Sequence, residues 1–174
     1  GLGDVYKRQD KLDVTRGVIQ KLQAFYELLL NYPQWREKVV LLQITVPAMN
    51  SSMKLERQVS ELVSMINGEF GSLSFTPVQH YHQVIARDEY YAMLSVADLA
   101  LVTSVRDGMN TMSMEYVVCQ EQTRWCPLIL SEFTGTAVRL PGAVLINPWD
   151  IRGVAAAVHL SLIHISEPTR RTPI

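Results

Sequence analysis

Two hydrophobic periods alternate along this chain, and that alternation narrows the fold more than any other feature. Val18, Leu22, Phe25 and Leu29 recur at helical spacing and stop at Tyr32-Pro33. Val39-Val40-Leu41-Leu42-Gln43-Ile44 follows, a short β-branched apolar run of the kind buried on both faces of a parallel sheet. Leu55, Val59, Leu62, Val63 and Ile66 predict a second helix, halted near Gly68 and Gly71. A short strand is predicted over Phe75 to Val78, and Tyr90, Met93, Leu94 and Ala97 mark a third helix. Strands are predicted again at Leu99 to Thr103, Pro127 to Leu130 and Ala143 to Ile146. Between them a helix runs from about Asn110 to Gln120, and a last one starts near Asp150 with Ile151, Val154, Ala155 and Val158 on one face. Strands and helices joined by short connections predict an α/β fold, a Rossmann-like parallel sheet with helices on both faces.

The two ends stand outside this pattern. The opening GLGDVYKRQ back-translates to a DNA segment whose reverse complement encodes LSLIHISEP, the residues from Leu160 to Pro168. The ends therefore read as two strands of one sequencing-library adaptor, and residues 1–9 and 160–174 are set aside from functional reasoning. The stretch 10–159, about 150 residues, is one domain's worth. A hydrophobic share of 48% supports a real core, and a net charge of -1 gives no electrostatic case for nucleic acid or an anionic membrane. No apolar run approaches the roughly 20 residues of a membrane span. Cys119 and Cys126 lack metal or redox spacing and read as ordinary thiols. The chain reads as cytoplasmic.

In open parallel sheets, ligands sit beyond the carboxyl ends of the strands. The informative segments are then 11–16, 46–50, 79–82, 104–110, 131–137 and 147–150. Among them, Arg106-Asp107-Gly108-Met109-Asn110 opens a helix that carries Glu115 two turns in. Gly108 allows a tight turn and close approach of a ligand, the free N–H groups of the helix suit a phosphate, and Asp107 can accept from sugar hydroxyls. Glu115 is placed to receive a ribose diol. The same residues also fit a plain N-cap at Asn110 and a solvated acid at Glu115. Lys11 and Arg16 flank another strand-to-helix turn, where two cations can neutralise a diphosphate leaving group or simply pair with Asp10 and Asp13 on the surface. In Gln79-His80-Tyr81-His82, Tyr81 can wall a base, and His80 and His82 read as loop residues without a third metal ligand. GxGxxG, GxxxxGK[ST] and GxSxG are all absent, which removes the main support for dinucleotide, P-loop and α/β-hydrolase chemistry.

Taken together, these motifs resemble the trehalose-6-phosphate synthase family. The matches run in order: Lys11-Leu12-Asp13 with Arg16-Gly17, Lys38 to Ile44, Ile66-Asn67-Gly68, Ala97-Asp98, Arg106 to Asn110, Glu115-Tyr116, Leu130-Ser131-Glu132-Phe133-Thr134-Gly135 and Asn147-Pro148-Trp149. The resemblance implies the C-terminal, donor-binding lobe of a two-lobed GT-B glycosyltransferase. Such an enzyme moves glucose from UDP-glucose to glucose 6-phosphate with retention, with no metal and no cofactor. It implies diphosphate cations at Lys11 and Arg16, a uracil-side aromatic at Tyr81 and a donor-glucose acid at Asp107. Backbone from Gly108, Met109, Asn110 and Thr111 would face the donor, and Glu115 would hold the ribose. The partners implied are the two sugar substrates, an N-terminal lobe outside this chain and other subunits of a trehalose synthase complex.

Three departures bear on activity. Lys11 and Arg16 reverse the family's usual arginine-then-lysine order, and the two cations are not interchangeable. Val46-Pro47 is followed by Ala48-Met49-Asn50 where synthases carry an arginine for the acceptor phosphate. Thr111 replaces the usual leucine. These changes are similar to the synthase-like domain at the front of fungal-type trehalose-6-phosphate phosphatases and regulatory subunits, often altered in transfer activity. An active synthase, a regulatory synthase-like domain and a generic Rossmann-like binding module are the readings to separate.

Overall fold

The computed structural model describes residues 12–46, 52–121 and 125–166. The chain alternates helix and strand: α1 (Val18–Asn31), β1 (Leu41–Thr45), α2 (Met53–Phe70), β2 (Val78–His82), α3 (Arg87–Val96), β3 (Ala100–Val102), α4 (Thr111–Gln120), β4 (Leu128–Ser131), β5 (Val144–Ile146) and α5 (Ile151–Ser166). Every strand pairing is parallel, as the alternation predicts. Hydrogen bonding divides the strands into two groups, β1-β2 and β3-β4-β5, where the sequence predicts one sheet. Both groups feed one core. Leu41 of β1 and Leu101, Ile129 and Ile146 of the other three strands pack with Leu22, Phe25 and Leu28 of α1 and with Val154 and Val158 of α5.

Side-chain alternation explains why these short runs are strands. On β4, Ile129 faces the α1 and α5 side, whereas Leu128 and Leu130 join Ala100, Val102 and Tyr116 on the α3 and α4 side. Period-two segregation onto two helix-covered faces is what a continuous apolar strand requires. The helices follow from their apolar stripes: α1 buries Val18, Leu22, Phe25 and Leu29, and α2 buries Leu55, Val59, Ile66 and Phe70.

Two elements differ from the sequence reading. The second strand is Val78–His82, not 75–78, because Ser72 and Phe75 close on each other in a turn and bonding to β1 begins at the Pro77 carbonyl. His80 and His82 are therefore strand residues rather than loop residues. The last helix runs unbroken past His159 to Ser166, with partly buried Leu162 packed against the core. His159 itself is locked by stacking on Tyr32 and by a 2.9 Å hydrogen bond between its Nδ1 and the Trp35 indole N–H.

Fully buried Ile129 sits between the two helix layers, so Ile129→Ala is expected to cost about 2–5 kcal/mol. Gly68 lies inside α2 with open space where an alanine methyl would sit, so Gly68→Ala is expected to add about 0.5–1 kcal/mol. Urea midpoints that move in opposite directions for the two substitutions verify the packing; a shift in the same direction contradicts it.

Candidate functional site

The carboxyl ends of the strands are tied together by the turn that precedes α1. Asp13 opens this turn by accepting from the Thr15 N–H and hydroxyl. Gly17 closes it in the left-handed region, at φ 67°. A side chain at Gly17 would collide with the Thr103 carbonyl, and the Thr103 hydroxyl donates to the Gly17 carbonyl at 2.8 Å. The Thr15 carbonyl accepts from the Val105 N–H at 2.9 Å. Only glycine tolerates both the dihedral and the approach. The end of β3 is thereby fixed against the start of α1, with Arg16 between them.

Arg16 reaches across 91 residues of sequence to Asp107: its Nη1 lies 2.5 Å from Oδ2. The Asn110 side-chain amide donates to the same Oδ2 at 3.0 Å. Asn110 also caps α4, its Oδ1 accepting the Ser113 N–H at 2.8 Å. The plain cap and the site role therefore coincide in one side chain. Asp107 keeps a side-chain exposure of 11% and Arg16 of 32%, so the pair is sheltered but open on one side.

The loop after β4 completes the wall. The Asp107 N–H donates to the Phe133 carbonyl, and the Gly135 N–H donates to the Asp107 carbonyl at 3.1 Å. The Thr134 hydroxyl is turned inward onto the Ser131 carbonyl. A side chain at Gly135 would strike the Gly108 carbonyl, so this glycine is what lets the two loops close. Gly108 itself needs no unusual dihedral, and a methyl there would meet nothing within 4 Å. What the structure shows at Gly108 is bare backbone facing open space. Among the described residues, the N–H groups of Gly108, Met109, Thr111 and Met112 have no protein acceptor. They lie at or just before the positive end of α4, beside 68%-exposed Met109.

Glu115, one face along α4, accepts from the Tyr90 hydroxyl at 3.2 Å, a partner from α3 that no motif signals. Tyr81 lies on β2, in the other strand group, with 41% exposure. Lys11, Ala48, Met49 and Asn50 lie outside the described residues. Among the described residues, no group of His, Cys, Asp and Glu is arranged to hold a metal ion.

On β1 and β2 the buried Thr45 hydroxyl bonds both His80 Nε2 and His82 Nδ1, each at 2.8 Å. A hydroxyl can donate to one ring nitrogen and accept from the other. Burial pushes the His80 pKa below the usual imidazole value, and His82 lowers it further. A proton is then held less tightly folded than unfolded, so this contribution to stability is full above about pH 6.5 and fades as the pH falls through the folded pKa. His80→Gln is expected to flatten the acid side of the stability profile; an unchanged slope would count against this arrangement.

The parallel sheets and covering helices define the class: an α/β lobe of the GT-B type seen in trehalose-phosphate synthases. The chain belongs to glycosyltransferase family 20, whose model matches residues 4–172. It is similar to the trehalose-phosphatase of Saccharomyces cerevisiae, 48% identical over 163 residues, covering 88% of this chain and 18% of that protein. It is also similar to alpha,alpha-trehalose-phosphate synthase [UDP-forming] A of Dictyostelium discoideum, 45% identical over 157 residues, covering 88% of this chain and 21% of that protein. The solved N-terminal domain of Candida albicans trehalose-6-phosphate phosphatase superposes with a TM-score of 0.85 at 51% identity, covering 93% of this chain and 36% of that one. The chain thus spans about a fifth of the length of these curated relatives.

Proposed function

We propose that this chain is the UDP-glucose-binding lobe of a trehalose-6-phosphate synthase-like domain. The observation that carries the reading is the Arg16–Asp107–Asn110 cluster beside the open N–H groups of residues 108, 109, 111 and 112. The diphosphate carries the charge that such N–H groups and a guanidinium attract. In the empty site Arg16 neutralises Asp107; a bound diphosphate competes for Arg16, and the Asp107 carboxylate becomes available to glucose hydroxyls. Lys11 is the second cation in this reading, Tyr81 the uracil-side aromatic and Glu115 the ribose acceptor. UDP-glucose is a substrate here, so no cofactor or metal enters the binding step. Glucose 6-phosphate would meet the donor from a partner lobe, in the cytoplasm. Among the described residues no helix is long and apolar enough to cross a membrane.

A second reading concerns the parent protein. The identity to a phosphatase N-terminal domain and the Val46-Pro47-Ala48-Met49-Asn50 sequence, without an arginine after the proline, favour a synthase-like domain that binds the donor without competent transfer. Both readings share the donor cradle. The full-length protein separates them: UDP release dependent on glucose 6-phosphate supports the synthase, and its absence with intact UDP binding supports the regulatory domain.

The cradle is tested by calorimetry on this chain. UDP is expected to bind, with affinity falling about tenfold or more in Arg16→Ala and partly kept in Arg16→Lys, since a point charge replaces a fork. No heat with UDP, or equal affinity in all three proteins, overturns the reading.

A further inference from the structure

Glu115 takes a bond from a neighbouring helix. Tyr90 stands in the first turn of α3, 9% exposed, and its hydroxyl donates to Glu115 Oε2 at 3.2 Å. Its ring lies beside Tyr91, with centroids 5.6 Å apart, and its N–H donates to the Ala86 carbonyl at 2.9 Å, where the helix begins. The contacts between the two helices rise together, from Tyr90–Glu115 to Leu94–Gln120, so α3 and α4 run parallel. Their far ends are pinned: Gln120 Nε2 donates to the Leu94 carbonyl at 2.8 Å and to the Ala97 carbonyl at 3.1 Å, and the Tyr116 hydroxyl donates to the Ala97 carbonyl at 3.4 Å. These bonds fix the register that sets Tyr90 opposite Glu115.

Glu115 is four residues along α4 from Thr111. Residues four apart lie one above the other, and helical side chains lean towards the N-terminus. The Glu115 side chain is therefore directed towards the N–H groups at the start of α4, about one 5.4 Å turn from them. A ribose joined to a phosphate held at those groups falls within its reach. A mobile glutamate loses rotamer freedom when a ligand orders it, and that loss weakens binding. Tyr90 orders the carboxylate before a ligand arrives. Its hydroxyl is neutral, so it orients the charge without cancelling it, unlike Arg16 on Asp107.

We propose that Tyr90 is a positioning residue for sugar recognition, holding Glu115 so that the site selects ribonucleotides over 2′-deoxyribonucleotides. The proposal rests on the donor reading, in which Glu115 receives the ribose diol. A carboxylate held in place to accept from a hydroxyl discriminates against the analogue without it, because the bond it is placed for goes unmade. A carboxylate that swings freely turns to solvent instead, and the discrimination is lost. Phenylalanine at position 90 keeps the ring and removes only the donor.

The test is calorimetry with UDP and 2′-deoxy-UDP on the 174-residue chain and on its Tyr90→Phe variant. The unchanged chain is expected to prefer UDP by about tenfold or more. Tyr90→Phe is expected to weaken UDP about tenfold and to leave 2′-deoxy-UDP within about twofold, so the preference collapses. An equal loss for both nucleotides marks a merely structural role and overturns the proposal, as does a preference that is absent from the unchanged chain or intact in the variant. In each of those cases UDP binding by the unchanged chain keeps the donor reading; no UDP binding at all removes both. Should the variant fail to fold, the unchanged chain is labelled at its tyrosine ring carbons. The Tyr90 Cζ resonance is expected to shift with UDP and not with 2′-deoxy-UDP; the same shift with both, or none with either, overturns the proposal.

Discussion

The contact on which the site depends is the one between Gly17 and Thr103. Backbone meets backbone there, with no side chain between, and the Thr103 hydroxyl closes the approach. That junction begins α1, ends β3 and holds Arg16 over the gap. From it follow the reach of Arg16 to Asp107, the shape of the loop that carries Asp107, and the direction of α4. Two elements far apart in sequence are joined there with almost no conformational freedom left to either.

The second layer is electrostatic. Asp107 is a carboxylate placed beside the positive end of a helix and then satisfied by a guanidinium and an amide. Both donors converge on the same oxygen, Oδ2. The loop after β4 reinforces the arrangement through Phe133 and Gly135 rather than through charge. The site is thus held by backbone contacts and by one ion pair, and in the proposed function a diphosphate competes for that pair.

Much of this is legible in the residues. Apolar runs at Leu41 and Leu128 read as strands because burial on both faces demands continuous hydrophobicity, and the Asp107 turn is readable because it follows such a run. The second strand is displaced from its expected place because Phe75 and Val78 look alike in a short window, while the Ser72–Phe75 turn is set by backbone bonds. Glycine is harder still. Gly108 looks essential by its place in a motif, yet Gly17 and Gly135 bear the close approaches, and those depend on segments distant in sequence. The Tyr90–Glu115 bond is invisible for the same reason: helix packing, not spacing, brings α3 to α4.

The proposed function stands on entry of a nucleotide diphosphate between Arg16 and the start of α4. Backbone amide NMR of this chain during titration with UDP tests it most directly. Saturable shifts are expected, largest at Gly108, Met109 and Thr111, with the Arg16 side-chain resonance moving as its bond to Asp107 is exchanged for phosphate. Shifts confined to other strand ends, or none at millimolar UDP (the order of a weak ligand, about 4 kcal/mol), would contradict it.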